Sequence, residues 1–173
     1  MLLQTPPKDL PSILSQLPSR RAAILDHMRD LVQRLVSKKL FDFKYSQELI
    51  GEYTCEVTQD TARMNELVRQ LSDALPRLLV SKGGARACCH LIAHGTAKDR
   101  KSMVKALKGK VLESLCHDSG HLGVMRLVEV TDDTVLVQKS LLEELCPKGT
   151  NEPPQYTASG APSLPLRAHS FRP

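Results

Sequence analysis

The chain has 173 residues, 41% of them hydrophobic, which is enough to bury one core. Lys and Arg number 24 against 19 Asp and Glu, giving a net charge of +5 and a pI near 9.0, a balance that favours an anionic partner such as nucleic acid or acidic lipid. No apolar run reaches membrane-spanning length, no small-residue cleavage site follows Met1-Leu2-Leu3, and the five cysteines are odd in number with Cys88 and Cys89 adjacent, so the expectation is a soluble, intracellular chain in a reducing compartment with no membrane partner.

Residues 1–18 carry Pro6, Pro7, Pro11 and Pro18, too many for a continuous helix, and are expected to be a lead-in with one short helical turn. From Ser19 the pattern changes. Ala23, Ile24, His27, Met28, Leu31, Val32 and Leu35 share one face at a 3.6-residue period, which predicts a helix over about 19–37. A second helix is predicted from Tyr45 to Thr54 with Leu49 and Ile50 inward, and a third from Asp60 to Leu71 with Met64, Leu67, Val68 and Leu71 inward, capped by Thr58 or Asp60.

Similar punctuation returns at Thr96-Ala97-Lys98-Asp99, before Met103, Val104 and Leu107. It returns once more at Thr131-Asp132-Asp133-Thr134, before Val137, Leu141 and Leu142. The layout recurs about every 36 to 41 residues. A unit of that size cannot close its own core, so the units must stack, and an all-α solenoid of about three repeats over 19–146 is the predicted architecture. Residues 147–173 lose the hydrophobic period and are rich in Pro, Gly and Ser, which predicts a disordered tail. The repeat pattern stops at Cys146 without a polar capping helix, the look of a truncated array of reduced stability. With no Trp and 3% aromatic residues, a nucleic-acid module built on aromatics stacked across a sheet is disfavoured.

The run Gly83-Gly84-Ala85-Arg86-Ala87-Cys88-Cys89-His90-Leu91-Ile92-Ala93-His94-Gly95 followed by Thr96-Ala97-Lys98-Asp99-Arg100-Lys101 resembles the core of a Pumilio repeat, and its second half is similar to the nucleolar, penguin-like branch of that family. The resemblance covers about residues 20–146 and implies a right-handed α-solenoid whose middle helices face RNA. Sequence-reading Pumilio repeats use three middle-helix positions per base. Carried onto this chain they fall at Lys44, Tyr45 and Glu48, at Ala85, Arg86 and Cys89, and at His121, Leu122 and Met125. Ala85, Cys89, Leu122 and Met125 offer no bidentate contact to a base edge, which leaves Lys44, Tyr45, Arg86 and His121 as backbone or stacking contacts. The branch resembled implies binding of RNA, and of DNA, through basic surfaces without a base code. It also implies a nuclear and nucleolar place in ribosomal RNA processing and ribosome biogenesis or in regulation of translation, with ribosome-assembly proteins as further partners and a monomeric state.

The densest basic stretch is Lys98, Arg100, Lys101, Lys105, Lys108 and Lys110, in which Lys101, Lys105 and Lys108 share a helix face without intervening Glu; with Lys98 and Arg100 they complete the expected RNA-binding set. Cys88, Cys89, His90 and His94 contain no C-x2-C pair and are read as packing residues, with no metal and no cofactor expected. His94-Gly95 reads as a helix end with the glycine left-handed. Ser119-Gly120-His121 lacks the strand-to-helix context of a hydrolase serine, and Gly83-Gly84 lacks phosphate-loop spacing, so no enzymatic activity is expected. The alternative is a protein-interaction solenoid of the HEAT or armadillo type, which an apolar line through Leu122 and Met125 would favour.

Overall fold

Proline opens the first helices of this chain. In the computed structural model, which describes residues 9–145, α1 (Leu10–Gln16) begins with the Asp9 carboxylate accepting from the Ser12 amide and with Pro11 in the first turn, where a missing N–H leaves no bond unmade. At seven residues α1 is longer than the single turn expected, and Leu10 and Leu14 bury it against α3 (Lys44–Glu56). The expected disordered tail lies outside the described residues.

The predicted helices follow in order: α2 (Arg21–Ser37), α3, and α4 (Thr61–Leu71), which continues through a 3₁₀ turn (Ser72–Ala74) into the short α5 (Leu75–Leu78). Next come α6 (Lys82–His94), α7 (Ala97–Leu107), α8 (Val111–Cys116) and α9 (Gly120–Val130). The last element is α10 (Thr134–Val137), which passes through a π turn (Gln138–Leu142) into α11 (Glu143–Leu145). No strand occurs among the described residues.

The caps are of the expected kind, with two of them shifted in position. Asp60 is the cap of α4 and accepts from the Arg63 amide, while Thr58 donates to the Thr54 and Cys55 carbonyls at the end of the preceding helix. Only Thr96 builds the reciprocal box, with Asp99 accepting from the Thr96 amide at 2.9 Å. In the third copy Asp133 is the cap, and Thr131 closes α9 by donating to the Leu127 carbonyl. Gly95 ends α6 in an extended conformation, φ −65° and ψ 148°, instead of the left-handed one expected. Its lack of a side chain serves packing, since a Cβ there would sit 3.0 Å from the Leu91 carbonyl oxygen.

The helices form two rows. α3, α6 and α9 lie side by side as a middle row, and α4, α7 and the α10 segment pack in a second, outer row. The stripe that holds the middle row together repeats: Gly84, Ala87, Cys88 and Leu91 are buried in α6, and Gly120, Gly123, Val124 and Leu127 occupy the same places thirty-six positions later in α9. In α3 the counterparts are Gln47, Ile50, Gly51 and Thr54. Small residues let the backbones approach closely: a Cβ on Gly51 would lie 2.5 Å from the Gly83 carbonyl oxygen, and one on Gly123 would lie 2.3 Å from Leu79 Cδ2. Tyr53, Met64, Leu75, Leu91, Met103 and Leu127 belong to one continuous core running across the units, as a solenoid requires.

Candidate nucleic-acid interface

The repeating stripe sets which side chains the middle row presents. In the register it defines, Ala85, Arg86 and Cys89 of α6 match His121, Leu122 and Met125 of α9, but the α3 counterparts are Glu48, Leu49 and Glu52. Lys44 and Tyr45 therefore stand about one turn before the positions the sequence comparison gave them, at the start of α3 and on the edge of the row. Tyr45 has the chemistry of a stacking residue, but the Gln47, Ile50, Gly51, Thr54 stripe is the sequence signal that sets the register of α3. Ala85 is buried.

The three middle helices present different chemistry. Glu48, Glu52 and Glu56 lie on α3 and are each engaged: Glu48 accepts from the Gly83 amide at 3.4 Å, Glu52 from the Leu10 amide at 3.0 Å, and Glu56 pairs with Arg21 at 2.9 Å. Arg86 is exposed on α6, beside the half-buried His90. Burial, and then the charges of His94 and Arg86, hold the His90 imidazole below its usual range, so it is neutral at pH 7. Leu122 and Met125 of α9 are 52% and 64% exposed, and half-buried His121 precedes them. Arg86 and His121 thus share the row with acidic and apolar neighbours.

Cys88 is buried and Cys55 and Cys89 are half-buried, as packing groups are, while Cys116 is exposed. Burial drives the Cys88 thiol well above its usual range, and Cys55 and Cys89 are shifted the same way by partial burial, opposed by Arg86 and Arg126 respectively. Among the described residues no group of three or more His, Cys, Asp or Glu side chains is placed to hold a metal ion, and no helix is long and apolar enough to cross a membrane.

The five basic residues predicted along 98–108 lie on α7 and its C-terminal cap, in the outer row, and do not join Arg86 and His121 on one surface. Arg100 is committed to the fold: its guanidinium donates to the Ile92 carbonyl at 3.3 Å and to the Val130 carbonyl at 3.2 Å, tying the C-terminal ends of α6 and α9 together. Lys101 pairs with Asp133 at 3.2 Å. Lys98, Lys105 and Lys108 are exposed.

The connecting segments that precede the middle helices gather at one edge. Arg77 donates from Nε to Asp42 at 2.7 Å and from a terminal nitrogen to the Lys39 carbonyl at 3.1 Å, with its guanidinium over the Phe41 ring. That hydrogen bond is the main reason the Asp42 carboxyl is held below its usual range. Buried Gln47 donates to the Phe41 and Arg77 carbonyls and locks the first two connectors together. A shallow cavity of about 180 Å³ lies between the connectors, lined by residues that include Asp42, Arg77, Val80, Lys110 and His117.

Comparison with known proteins places this architecture. No family model matches the chain. Pumilio homolog 24 of Arabidopsis thaliana is 28% identical over 138 residues, and protein penguin of Drosophila melanogaster is 24% identical over 138 residues; each alignment covers 80% of this chain, but 21% and 19% of the respective relative. The crystal structure of human Puf-A superposes with a TM-score of 0.71 at 24% identity over 79% of this chain and 26% of that one. In sequence the chain is similar to Pumilio homologues that include protein penguin, and in fold it is similar to the helical repeat array of Puf-A. A second Puf-A structure, in complex with DNA, matches with a TM-score of 0.64. The chain spans about a fifth of the length of the curated relatives it matches.

Proposed function

We propose that this Pumilio-type array binds RNA, and DNA in the same manner, through the nucleic-acid backbone with little or no base specificity. The observation that carries the reading is the chemistry of the middle row. The positions a sequence-reading repeat would use hold a buried Ala85, a thiol at Cys89, and the apolar Leu122 and Met125, none of which forms a paired hydrogen bond with a base edge, while the net charge of +5 makes phosphate the natural target. The similarity to Puf-A, which has been crystallised with DNA, supports the same reading. From the resemblance of residues 83–101 to the penguin-like branch we further infer a monomeric, non-enzymatic, nuclear and nucleolar protein with a role in ribosomal RNA processing and ribosome biogenesis or in translational regulation, and with ribosome-assembly proteins as further partners.

Fluorescence-anisotropy titration of several unrelated single-stranded RNAs and one DNA at two salt concentrations tests this. Similar affinities throughout, falling steeply with salt, are expected, because each neutralised phosphate contributes about 0.7 to the log–log salt slope on a single strand. Strong preference for one sequence, or affinity indifferent to salt, would overturn it.

A second reading, a protein-interaction scaffold, draws on the exposed Leu122, Met125 and Val128 of α9. Pull-down of a protein partner that depends on Met125, by a chain that binds no nucleic acid, would favour it.

A further inference from the structure

The basic residues of this chain are not spread evenly over the array. On the edge where connectors enter the middle helices, the first two connectors and the helix starts they feed carry Lys38, Lys39, Lys44, Arg77 and Lys82 against Asp42, which Arg77 neutralises, Asp73, and Glu48, which accepts from the Gly83 amide. The four lysines are exposed and none is in an ion pair among the described residues. The opposite edge, where the middle helices end, carries Glu56, Asp60, Asp99, Glu129, Asp132 and Asp133 beside Arg63, Lys98, Arg100 and Lys101, and there Arg21 pairs with Glu56, Arg63 with Asp60, Lys101 with Asp133 and Arg126 with Glu129. An anionic strand meets four unpaired lysines on the first edge and mostly paired charges on the second.

Aromatic side chains mark the same place. Phe43 and Tyr45 flank Lys44 and are 61% and 77% exposed, whereas Phe41 and Tyr53 are buried. Two large exposed rings on either side of a lysine cost hydration for no packing gain within the chain, and they provide what single-stranded nucleic acid uses: faces for bases beside a charge for phosphate. The α7 surface offers less, since Arg100 holds two carbonyls and Lys101 is paired with Asp133.

We propose that single-stranded nucleic acid is bound along this connector edge, with Lys38, Lys39, Lys44 and Lys82 on its phosphates and Phe43 and Tyr45 stacking on its bases. This surface rests on the nucleic-acid reading above and relocates it from the middle-row face and from α7. Arg77 plays a positioning part: by fastening Asp42 and the Lys39 carbonyl it holds the first connector, and with it Phe43 and Lys44, against the second. An acidic peptide would satisfy the lysines but leave the rings unused, and the strand satisfies both.

The test compares four variants of the full chain, each verified as folded by circular dichroism, against a labelled oligouridylate of about 12 nucleotides. Lys38→Ala/Lys44→Ala/Lys82→Ala is expected to weaken binding about 10-fold or more and to lower the log–log salt slope by about 2. Phe43→Ala/Tyr45→Ala is expected to weaken it about 5-fold or more, with Phe43→Tyr/Tyr45→Phe restoring affinity because the rings are what is needed. Lys98→Ala/Lys105→Ala on α7 is expected to bind like the unmodified chain. Loss in the α7 variant with no loss in the edge variants would overturn the edge and leave nucleic-acid binding standing. A folded unmodified chain that binds no oligonucleotide would sink both. Equal binding of polyglutamate by the unmodified and Phe43→Ala/Tyr45→Ala chains, with oligouridylate unaffected by the aromatic change, would overturn the edge in favour of an acidic protein partner.

Discussion

α6 and α9 share one layout and end in different surroundings. Each buries a small-residue stripe, Gly84, Ala87, Cys88 and Leu91 in one and Gly120, Gly123, Val124 and Leu127 in the other. Yet Ile92 of α6 is fully buried while its counterpart in α9, Val128, is 37% exposed, and half-buried Cys89 corresponds to Met125 at 64%. The difference lies in the neighbours. α6 is packed between α3 and α9, whereas the described residues place no fourth middle helix beyond α9. In a stacked array a position's burial is set as much by the adjoining unit as by its own sequence.

That comparison can be broken or sharpened by substitution, and the largest effect is expected where backbones meet. Gly84→Ala would put a Cβ 2.0 Å from the Leu78 carbonyl oxygen, and the expected cost is about 3 kcal/mol or more by urea unfolding. Gly109→Ala, where a Cβ meets nothing but φ is +79°, should cost only about 1 kcal/mol. Equal losses at the two sites would mean that the close approach of α6 to the Leu78 carbonyl of α5 does not matter to stability.

Next in size are the paired apolar positions. Ile92→Ala should cost about 2–5 kcal/mol, and Val128→Ala under about 1 kcal/mol, because only the first is covered on both sides. A Val128 variant as damaging as the Ile92 one would show that α9 is covered in solution. Thr96→Ala should cost about 1 kcal/mol, since it removes the acceptor for the Asp99 amide at the head of α7 and one donor to the Asp99 carboxylate; a melting curve unchanged from the parent would contradict that cap.

The smallest expected effect is electrostatic. Hydrogen bonding from Arg29 above all, with help from Gln33, holds the Glu66 carboxyl below its usual range. A depressed folded pKa means that this contribution is complete above the unfolded value of about 4.3 and is lost as pH falls through the folded one. With both side chains partly exposed it amounts to less than about 1 kcal/mol. Glu66→Gln should therefore flatten the acid limb of a stability-versus-pH curve slightly, and a steeper limb would reverse the sign argued here.

The helix-bearing regions were legible because the 3.6-residue period is a local property: Met64, Leu67, Val68 and Leu71 read as the inward face of one helix and are buried. The solenoid was legible because that layout recurs. What escaped was set by contacts between units. The register of α3 depends on Gly51 meeting Gly83, thirty-two positions away, and sequence alone offered the more conspicuous Tyr45 as a false anchor. The candidate α7 surface looked uniformly basic in sequence, whereas Arg100 reaches the carbonyls of Ile92 and Val130 and Lys101 reaches Asp133 only once the chain is folded. The connector edge was invisible for the same reason: Lys82 belongs to a different unit from Lys38 and Lys44 and joins their edge only through stacking.

The most direct measurement is nuclear magnetic resonance of the isotopically labelled chain titrated with a short single-stranded RNA. The account predicts that amide shifts concentrate at residues 38–45 and 77–82, with those of α7 and the α9 face little changed. Shifts centred on Leu122, Met125 and Val128, or none at an RNA concentration that saturates the anisotropy signal of a control binder, would contradict it.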